Sequence, residues 1–293
     1  MSEKNLTELI GNTPLLKING IYAKAEYLNP SGSVKDRAAK NMLLEAIKNG
    51  QLTKGKVILD STSGNTGIAY AMLGASLGYK VVLCMPSNAS FERKKILKAY
   101  GAEIIETDPL ESSDGSYLKA LEIAEAEPQK YFFPNQYNND ANWQAHYENT
   151  AAEIWEQTNG KITHFVAGTG TSGTFMGISK RLKKENPDIQ IILMQPNSPF
   201  HGLEGMKHME TTINPAFFDR SIADSEIEVS TEDAYQTVKQ LASQHGLFVG
   251  VSSGANVFAA RETAAKSSAD SLVVTILCDN GYRYISESVW RDL

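Results

Sequence analysis

Residues 57–86 read VILDSTSGNTGIAYAMLGASLGYKVVLCMP, and this stretch decides the class of fold. The apolar runs VILD and VVLCMP are typical of buried strands, and the segment between them, IAYAMLGASLGY, indicates a helix. Further apolar runs alternate with helical segments along the rest of the chain: EIIET, YFFP, HFVAG, IILMQP and VVTILC. Alternation of strands and helices predicts an α/β fold with parallel sheets.

The start of the chain has a different pattern. Residues 15–18 and 21–28 favour strands, and the dipeptide Asn19-Gly20 between them favours the positive φ angles of a type I′ turn. This predicts a small hairpin. From the topology we expect two α/β domains: a smaller, mobile domain of residues 36–142, and a larger one of residues 1–35 plus 143–293.

Composition narrows the classes of function. The chain has 293 residues, 42% hydrophobic and 21% charged, with a net charge of -6, which is typical of a globular protein and argues against a nucleic-acid partner. No run approaches the ~18 apolar residues that a membrane span needs, and the N-terminus lacks a signal-like apolar segment. We therefore expect a cytoplasmic protein. Its two cysteines end apolar runs, and its five histidines lack metal-ligand spacing, so no metal site is predicted.

The first loop that could carry chemistry is DSTSGNTG, residues 60–67, which follows a strand and opens a helix. The free N–H groups of a helix start can hold a carboxylate or a phosphate. A simple helix cap needs one hydroxyl, whereas this turn offers several polar side chains: Ser61, Thr62, Ser63, Asn65 and Thr66. This excess favours an anion site over a simple cap.

The second loop is GTGTSGT, residues 168–174, again between a strand and a helix. Its three glycines match the dinucleotide pattern G-x-G-x-x-G. The next strand, however, is followed by Gln195 instead of the acidic residue that would bind a ribose. A single phosphate fits better, held by backbone N–H groups and by the hydroxyls of Thr171, Ser172 and Thr174.

The third loop, NPSGSVKDRA, residues 29–38, places Lys35 at the start of a helix. The helix dipole opposes a positive charge there and favours the neutral amine, so Lys35 is a candidate nucleophile. The alternative is a solvated surface lysine. An amine combined with a phosphate-binding loop is what pyridoxal phosphate requires, and this combination favours the first interpretation.

With these loops in view, the chain resembles the fold-type II pyridoxal-phosphate enzymes, and among them the cysteine synthases, especially those of B type. Seven motifs carry the resemblance in order: IGNTPL (10–15), NPSGSVKDR (29–37), STSGNTG (61–67), QYNN (136–139), GTGTSGT (168–174), GVSSG (250–254) and CDNGYRY (278–284). The resemblance implies two three-layer α/β domains with mostly parallel sheets, as in the β subunit of tryptophan synthase.

The resemblance also implies the site residues. Lys35 carries the cofactor as a Schiff base and moves the α-proton, and Asn65 contacts the 3′-oxygen of the cofactor. The cofactor phosphate is held by Gly170, Thr171, Ser172, Gly173 and Thr174. The substrate carboxylate is bound by Thr62, Ser63, Thr66 and Gln136. Ser252 meets the pyridine nitrogen, with Ser253 and Asn280 as alternatives.

The implied activity is a β-replacement that forms L-cysteine from O-acetyl-L-serine, or a related activated serine, and sulfide or another sulfur donor through an aminoacrylate. The resemblance further implies a homodimer. A cystathionine β-synthase-like enzyme, an O-phosphoserine-using synthase and a catalytically inactive binding protein on the same fold are the alternatives. Residues 201–209 resemble the part of the family that lines the active-site entrance, and Lys207 and His208 there predict tolerance of an anionic donor larger than sulfide, such as thiosulfate. The alternative is a solvated loop with incidental charges.

Overall fold

A computed structural model describes residues 5–62, 64–212 and 214–291. In this part of the chain the strands are β1 (Leu15–Ile18), β2 (Ile21–Ala25), β3 (Val57–Ser61), β4 (Lys80–Pro86), β5 (Glu103–Thr107), β6 (Tyr131–Phe132), β7 (His164–Gly168), β8 (Gln190–Pro196), β9 (Ser225–Val229) and β10 (Val273–Leu277). The α-helices are α1 (Lys35–Lys48), α2 (Asn65–Leu77), α3 (Phe91–Ala99), α4 (Ser112–Ala126), α5 (Asp140–Ala145), α6 (Ala151–Gln157), α7 (Gly173–Glu185), α8 (Thr231–His245) and α9 (Val251–Lys266).

The chain forms two units. The first contains residues 5–10 and Lys35–Asn142, and the second contains Gly11–Val34 and residues 143–291. Residues 5–10 and Lys35 therefore belong to the first unit, whereas the sequence analysis grouped them with residues 143–293. The difference arises because Leu6 and Ile10 pack in the hydrophobic core of the first unit.

The first unit is built on a four-stranded parallel sheet in the order β5-β4-β3-β6. Alternate residues of the central strands enter two different cores. Ile58 and Leu83 face a core shared with α1 and α2, whereas Leu59 and Val82 face a smaller core shared with α4. Burial on both faces explains the nearly continuous apolar runs of these strands.

The second unit has a six-stranded sheet in the order β1-β2-β10-β7-β8-β9. Only the β1–β2 hairpin, within the described residues, is antiparallel. Its turn has positive φ at both Asn19 (47°) and Gly20 (87°), as predicted for a type I′ turn. Helices cover both faces, since Ile192 joins one core and Leu193 the other.

The observed architecture confirms the predicted α/β fold with two three-layer units and mostly parallel sheets. It differs from the sequence prediction in one helix. The segment NWQAHYENTAAEIWEQTNG, residues 142–160, has the periodicity of one helix, but His146–Thr150 form a π-helical turn between α5 and α6. No helix in the described ranges is long and apolar enough to cross a membrane.

Candidate active site

Lys35 is the first residue of α1 and is half-buried. The loop that precedes it belongs to the second unit and is held there by its backbone. Gly32 N–H donates to the carbonyl of Asn29 at 2.7 Å, and Val34 N–H donates to the carbonyl of Cys278 at 2.8 Å. Lys35, the residue predicted to carry the cofactor, therefore comes directly after a loop whose backbone is fixed by hydrogen bonds.

The turn between β3 and α2 contains the residues predicted to bind the substrate carboxylate. Its N-cap residue is Gly64, which has no side chain to satisfy the first N–H groups of α2. Thr62 is half-buried and its hydroxyl accepts a hydrogen bond from Gly64 N–H at 3.3 Å. Asn65 begins the helix, whereas Ser63 lies outside the described residues. An uncapped helix start of this kind suits an anionic ligand.

Thr66 and Gln136 are 70 residues apart in the chain but meet in the first unit. The Thr66 hydroxyl donates to Gln136 Oε1 at 2.9 Å, and both side chains are buried. The Gln136 backbone is held in turn, because Asn142 Nδ2 donates to its carbonyl oxygen at 2.7 Å. Two residues predicted for the same carboxylate thus lie side by side.

The loop between β7 and α7 contains the residues predicted to hold a phosphate. Ser172 is the N-cap residue of α7, with a positive φ of 66°, yet its side chain makes no cap hydrogen bond. Ser172 is only 2% exposed, and neither its hydroxyl nor that of Thr169 has a hydrogen-bond partner within the described residues. Buried hydroxyls normally find partners, so these two are available to a bound anion. This loop fits the phosphate of pyridoxal phosphate.

His146 is a residue that sequence reasoning missed. It lies in the π-helical turn and is 0% exposed. Its ring Nδ1 lies 3.0 Å from the Thr150 hydroxyl, and its Nε2 lies 3.3 Å from the hydroxyl of Thr174 in the phosphate-binding loop. Because the five histidines are scattered along the sequence, none of them was expected to have a function in the site. The signal that could have found it is Thr150, four residues later on the same helical face.

Residues 201–209 pack directly on the phosphate-binding loop. Lys207 N–H donates to the carbonyl of Thr169 at 2.8 Å. A side chain at Gly170 would place its Cβ only 2.3 Å from the carbonyl oxygen of Gly205, which explains the glycine there. Gln195 holds the far end of the segment, since its Oε1 accepts from Met209 N–H at 3.2 Å.

The three residues considered for contact with the pyridine nitrogen differ in their hydrogen bonds. Ser252 is the second residue of α9, and its hydroxyl has no hydrogen-bond partner in the described part of the chain. The Ser253 hydroxyl is already used, because it accepts from Cys278 N–H at 2.8 Å. Asn280 Oδ1 is buried without a described partner. Ser252 and Asn280 therefore keep polar atoms available to a ligand.

The comparisons with known proteins agree with this geometry. Residues 6–279 match the family described as "Pyridoxal-phosphate dependent enzyme". The chain is similar to a cysteine synthase of Aquifex aeolicus, with 48% identity that covers 99% of this chain and 93% of the relative. It is also similar to cysteine synthase B of Escherichia coli, with 42% identity over 98% and 96% of the two chains.

A solved structure extends the likeness to three dimensions. The O-acetyl serine sulfhydrylase isoform 3 of Entamoeba histolytica superposes with a TM-score of 0.93 at 34% identity, covering 100% of this chain and 93% of the other. The chain belongs to the cysteine synthase family of pyridoxal-phosphate-dependent enzymes. Pyridoxal phosphate is therefore its cofactor, and the resemblance noted from the seven motifs is confirmed.

Proposed function

We propose that this enzyme forms L-cysteine from O-acetyl-L-serine and sulfide by replacing the acetate group at Cβ. The observation that carries the proposal is the α2 start, where an uncapped helix N-terminus lies beside the Thr66–Gln136 pair. This arrangement suits the carboxylate of an amino acid, because backbone N–H groups and the Gln136 amide nitrogen can donate to it while the Thr66 hydroxyl orients that amide through its oxygen. The relatives named cysteine synthase support the choice of reaction.

The proposed binding residues divide between cofactor and substrate. The cofactor is held by Lys35, Asn65, Gly170, Thr171, Ser172, Gly173, Thr174 and Ser252. The substrate carboxylate is bound by Thr62, Ser63, Thr66 and Gln136. The unpartnered Ser172 hydroxyl supports the phosphate assignment, and the position of Ser252 in the first turn of α9 supports its place at the pyridine nitrogen.

The chemistry assigned to the chain is proton movement and charge control. Bound pyridoxal phosphate delocalises the negative charge that develops on the substrate Cα. Lys35 Nζ accepts the α-proton of the bound amino acid and returns it at the end of the reaction. Acetate leaves Cβ with the bonding electron pair, and the sulfur nucleophile then forms the new bond at the same carbon. Exclusion of water protects this stage from hydrolysis.

We also propose that the enzyme works in the cytoplasm, and that it is a homodimer as the family resemblance implies. Light scattering coupled to size-exclusion chromatography measures the mass of the particle. A mass near 64 kDa, twice the 32.1 kDa of one chain, is expected. A mass near that of a single chain would contradict the dimer and leave the proposed reaction untouched.

Replacement of Lys35 tests the assignment. We expect Lys35→Ala to abolish cysteine formation and the visible absorbance of the bound cofactor, because Lys35 supplies both the covalent link and the base. Lys48→Ala is the matched control, since Lys48 ends the same helix and is largely exposed, with one surface ion pair to Glu45. The control should keep both properties. Near wild-type cysteine formation by Lys35→Ala would refute the proposal.

The choice of substrates is tested with the wild-type enzyme. O-acetyl-L-serine, O-phospho-L-serine and L-serine are each supplied with sulfide, thiosulfate or homocysteine, and the products are identified by mass spectrometry. The proposal expects the highest kcat/KM for O-acetyl-L-serine with sulfide. A preference for homocysteine would indicate a cystathionine β-synthase instead, and a bound cofactor with no product in any pair would indicate a binding protein.

A further inference from the structure

A carboxyl group lies buried immediately before the turn that is proposed to bind the substrate carboxylate. Asp60 is the fourth of the five residues of β3, next to the end of the strand, and it is only 2% exposed. Its Oδ1 accepts a hydrogen bond from Ser61 N–H at 2.7 Å. Its Oδ2 is buried and has no partner at hydrogen-bond distance in the described part of the chain. This carboxyl group has no role in the proposed mechanism.

The charge of Asp60 acts on three weakly acidic groups, and these four groups are called the Asp60 cluster. Tyr70 comes from α2, Cys84 from β4, and Tyr137 from the segment that follows β6. Burial raises the pKa of all three, to about 11 for Cys84 and about 12 for Tyr137, and the charge of Asp60 adds to each increase. These three groups therefore remain neutral when Asp60 changes its charge near neutral pH.

The helix α4 contributes the other charged and titratable groups that act on this cluster. Lys119 and Glu122 act on Cys84, with opposite effects on its pKa, and Asp114 and Tyr117 act on Tyr137. For Asp60 itself, burial dominates and raises its pKa to about 7, while the Ser61 N–H and the Tyr70 hydroxyl lower the value by less. Asp60 is thus the member of the cluster that changes charge near pH 7.

The cluster is connected to both parts of the proposed carboxylate site. Asp60 precedes the turn and fixes its first N–H through Ser61. Tyr137 is the neighbour of Gln136, which pairs with Thr66. A negative charge on Asp60 consequently lies two residues before a turn that must accept a second negative charge, and like charges in a poorly solvated region repel each other.

We propose that Asp60 is a positioning residue whose neutral carboxyl group allows the turn at residues 62–66 to bind the substrate carboxylate, and whose loss of a proton weakens that binding. The inference rests on the proposed function, because it takes the 62–66 turn as the carboxylate site. It predicts a pH dependence of amino-acid affinity that no group in direct contact with the substrate needs to supply.

The test measures binding of L-alanine, an amino acid without a β-leaving group, to the holoenzyme. The absorbance change of the bound cofactor gives the Kd between pH 6 and 8.5 for the wild type and for Asp60→Asn. The ratio of the wild-type Kd to the variant Kd should rise through pH 7 by roughly tenfold or more, because like charges in a poorly solvated region repel each other. Because the substrate amine titrates equally in both measurements, its effect cancels in this ratio of Kd values.

Two further variants examine the same cluster. Tyr70→Phe removes a hydroxyl that donates to Met42 Sδ at 3.7 Å and that lowers the pKa of Asp60, so the carboxyl group of Asp60 should titrate at higher pH in this variant. Cys84→Ser is the matched control, because it changes a buried neighbour that stays neutral in this range, and its pH dependence should match the wild type. Carbon-13 NMR of aspartate-labelled wild-type protein should show a carboxyl signal that titrates near pH 7.

The outcomes are distinct. A Kd ratio that is independent of pH, or the absence of an aspartate carboxyl signal that titrates near pH 7 in the wild type, overturns the inference; the second result is obtained even if Asp60→Asn does not fold. If cysteine is formed but the Kd for L-alanine has the same pH dependence in the wild type and in Asp60→Asn, the inference fails while the proposed function holds. If no cysteine is formed but alanine binding follows Asp60, the inference about the site holds and the proposed reaction fails.

Discussion

At the scale of single residues, a sequence signal is most reliable where the type of the side chain and its place at the start of a helix indicate the same role. Lys35, Thr66 and Ser172 each occupy the first turn or N-cap of a helix that follows a loop, and this could be predicted because caps and loop chemistry are local. His146 could not be predicted in this way. Its partner Thr174 is 28 residues further on, and only the folded chain brings the two together.

Gln136 belongs to the substrate assignment and gives a prediction at this scale. We expect Gln136→Ala to weaken amino-acid binding by roughly 10- to 150-fold, the usual cost of losing a hydrogen bond to a charged group of about 1.5–3 kcal/mol. Cofactor affinity should change little, because Gln136 is assigned to the substrate alone. Titration of the variant with L-alanine, followed by absorbance, measures the first quantity, and equilibrium dialysis of the cofactor measures the second. Equal losses in both would show that the two sets of residues are wrongly divided.

At the scale of helices and strands, apolar runs predicted the sheets because parallel strands buried on both faces need little else. The π-helical turn at His146–Thr150 escaped prediction because one wide turn barely alters a helical periodicity. The packing of residues 201–209 on the phosphate-binding loop was also beyond the sequence, which offered only two glycines and several basic residues there. Contacts between two loops depend on where their strands lie in the sheet, here β7 beside β8.

That contact gives a prediction at the scale of elements. In Gly170→Ala the new Cβ would lie 2.3 Å from the Gly205 carbonyl oxygen, so the phosphate-binding loop or residues 201–209 must shift. Because neither atom belongs to a flexible side chain, we expect cofactor affinity to fall by at least tenfold, about 1.4 kcal/mol. Cofactor dialysis measures the effect. Gly64→Ala is the control for cofactor affinity, since no atom lies within 4 Å of its added Cβ; an unchanged affinity in Gly170→Ala would refute the argument.

At the scale of the whole molecule, the order of the strands was the feature least accessible from the sequence. β10 pairs with β2 although about 250 residues separate them, and residues 5–10 join the core of the first unit although the next stretch of chain joins the second. Local propensity carries no information about such long-range pairing. The seven motifs supplied this information on long-range pairing indirectly, because their order resembles that of a family whose fold is known.

Asp60 should leave a signature in the stability of the molecule. Its pKa is about 7 in the folded chain against an ordinary value of 3.8, so between about pH 4 and 7 the unfolded chain loses a proton that the folded chain keeps. The folded state therefore binds more protons, and its stability from this group falls as pH rises through this window and then levels off. At 1.36 kcal/mol for each unit of pKa, the full loss is about 4 kcal/mol.

Asp60→Asn removes this titration, so the variant should gain stability relative to the wild type between pH 5 and pH 8. Urea unfolding followed by circular dichroism measures both proteins at the two pH values. All three tryptophans, Trp143, Trp155 and Trp290, lie in the second unit, so tryptophan fluorescence reports that unit separately. Because Asp60 belongs to the first unit, the relative gain must appear in the transition that circular dichroism follows. A stability difference that is equal at pH 5 and pH 8 would mean that Asp60 is already ionised in the folded chain.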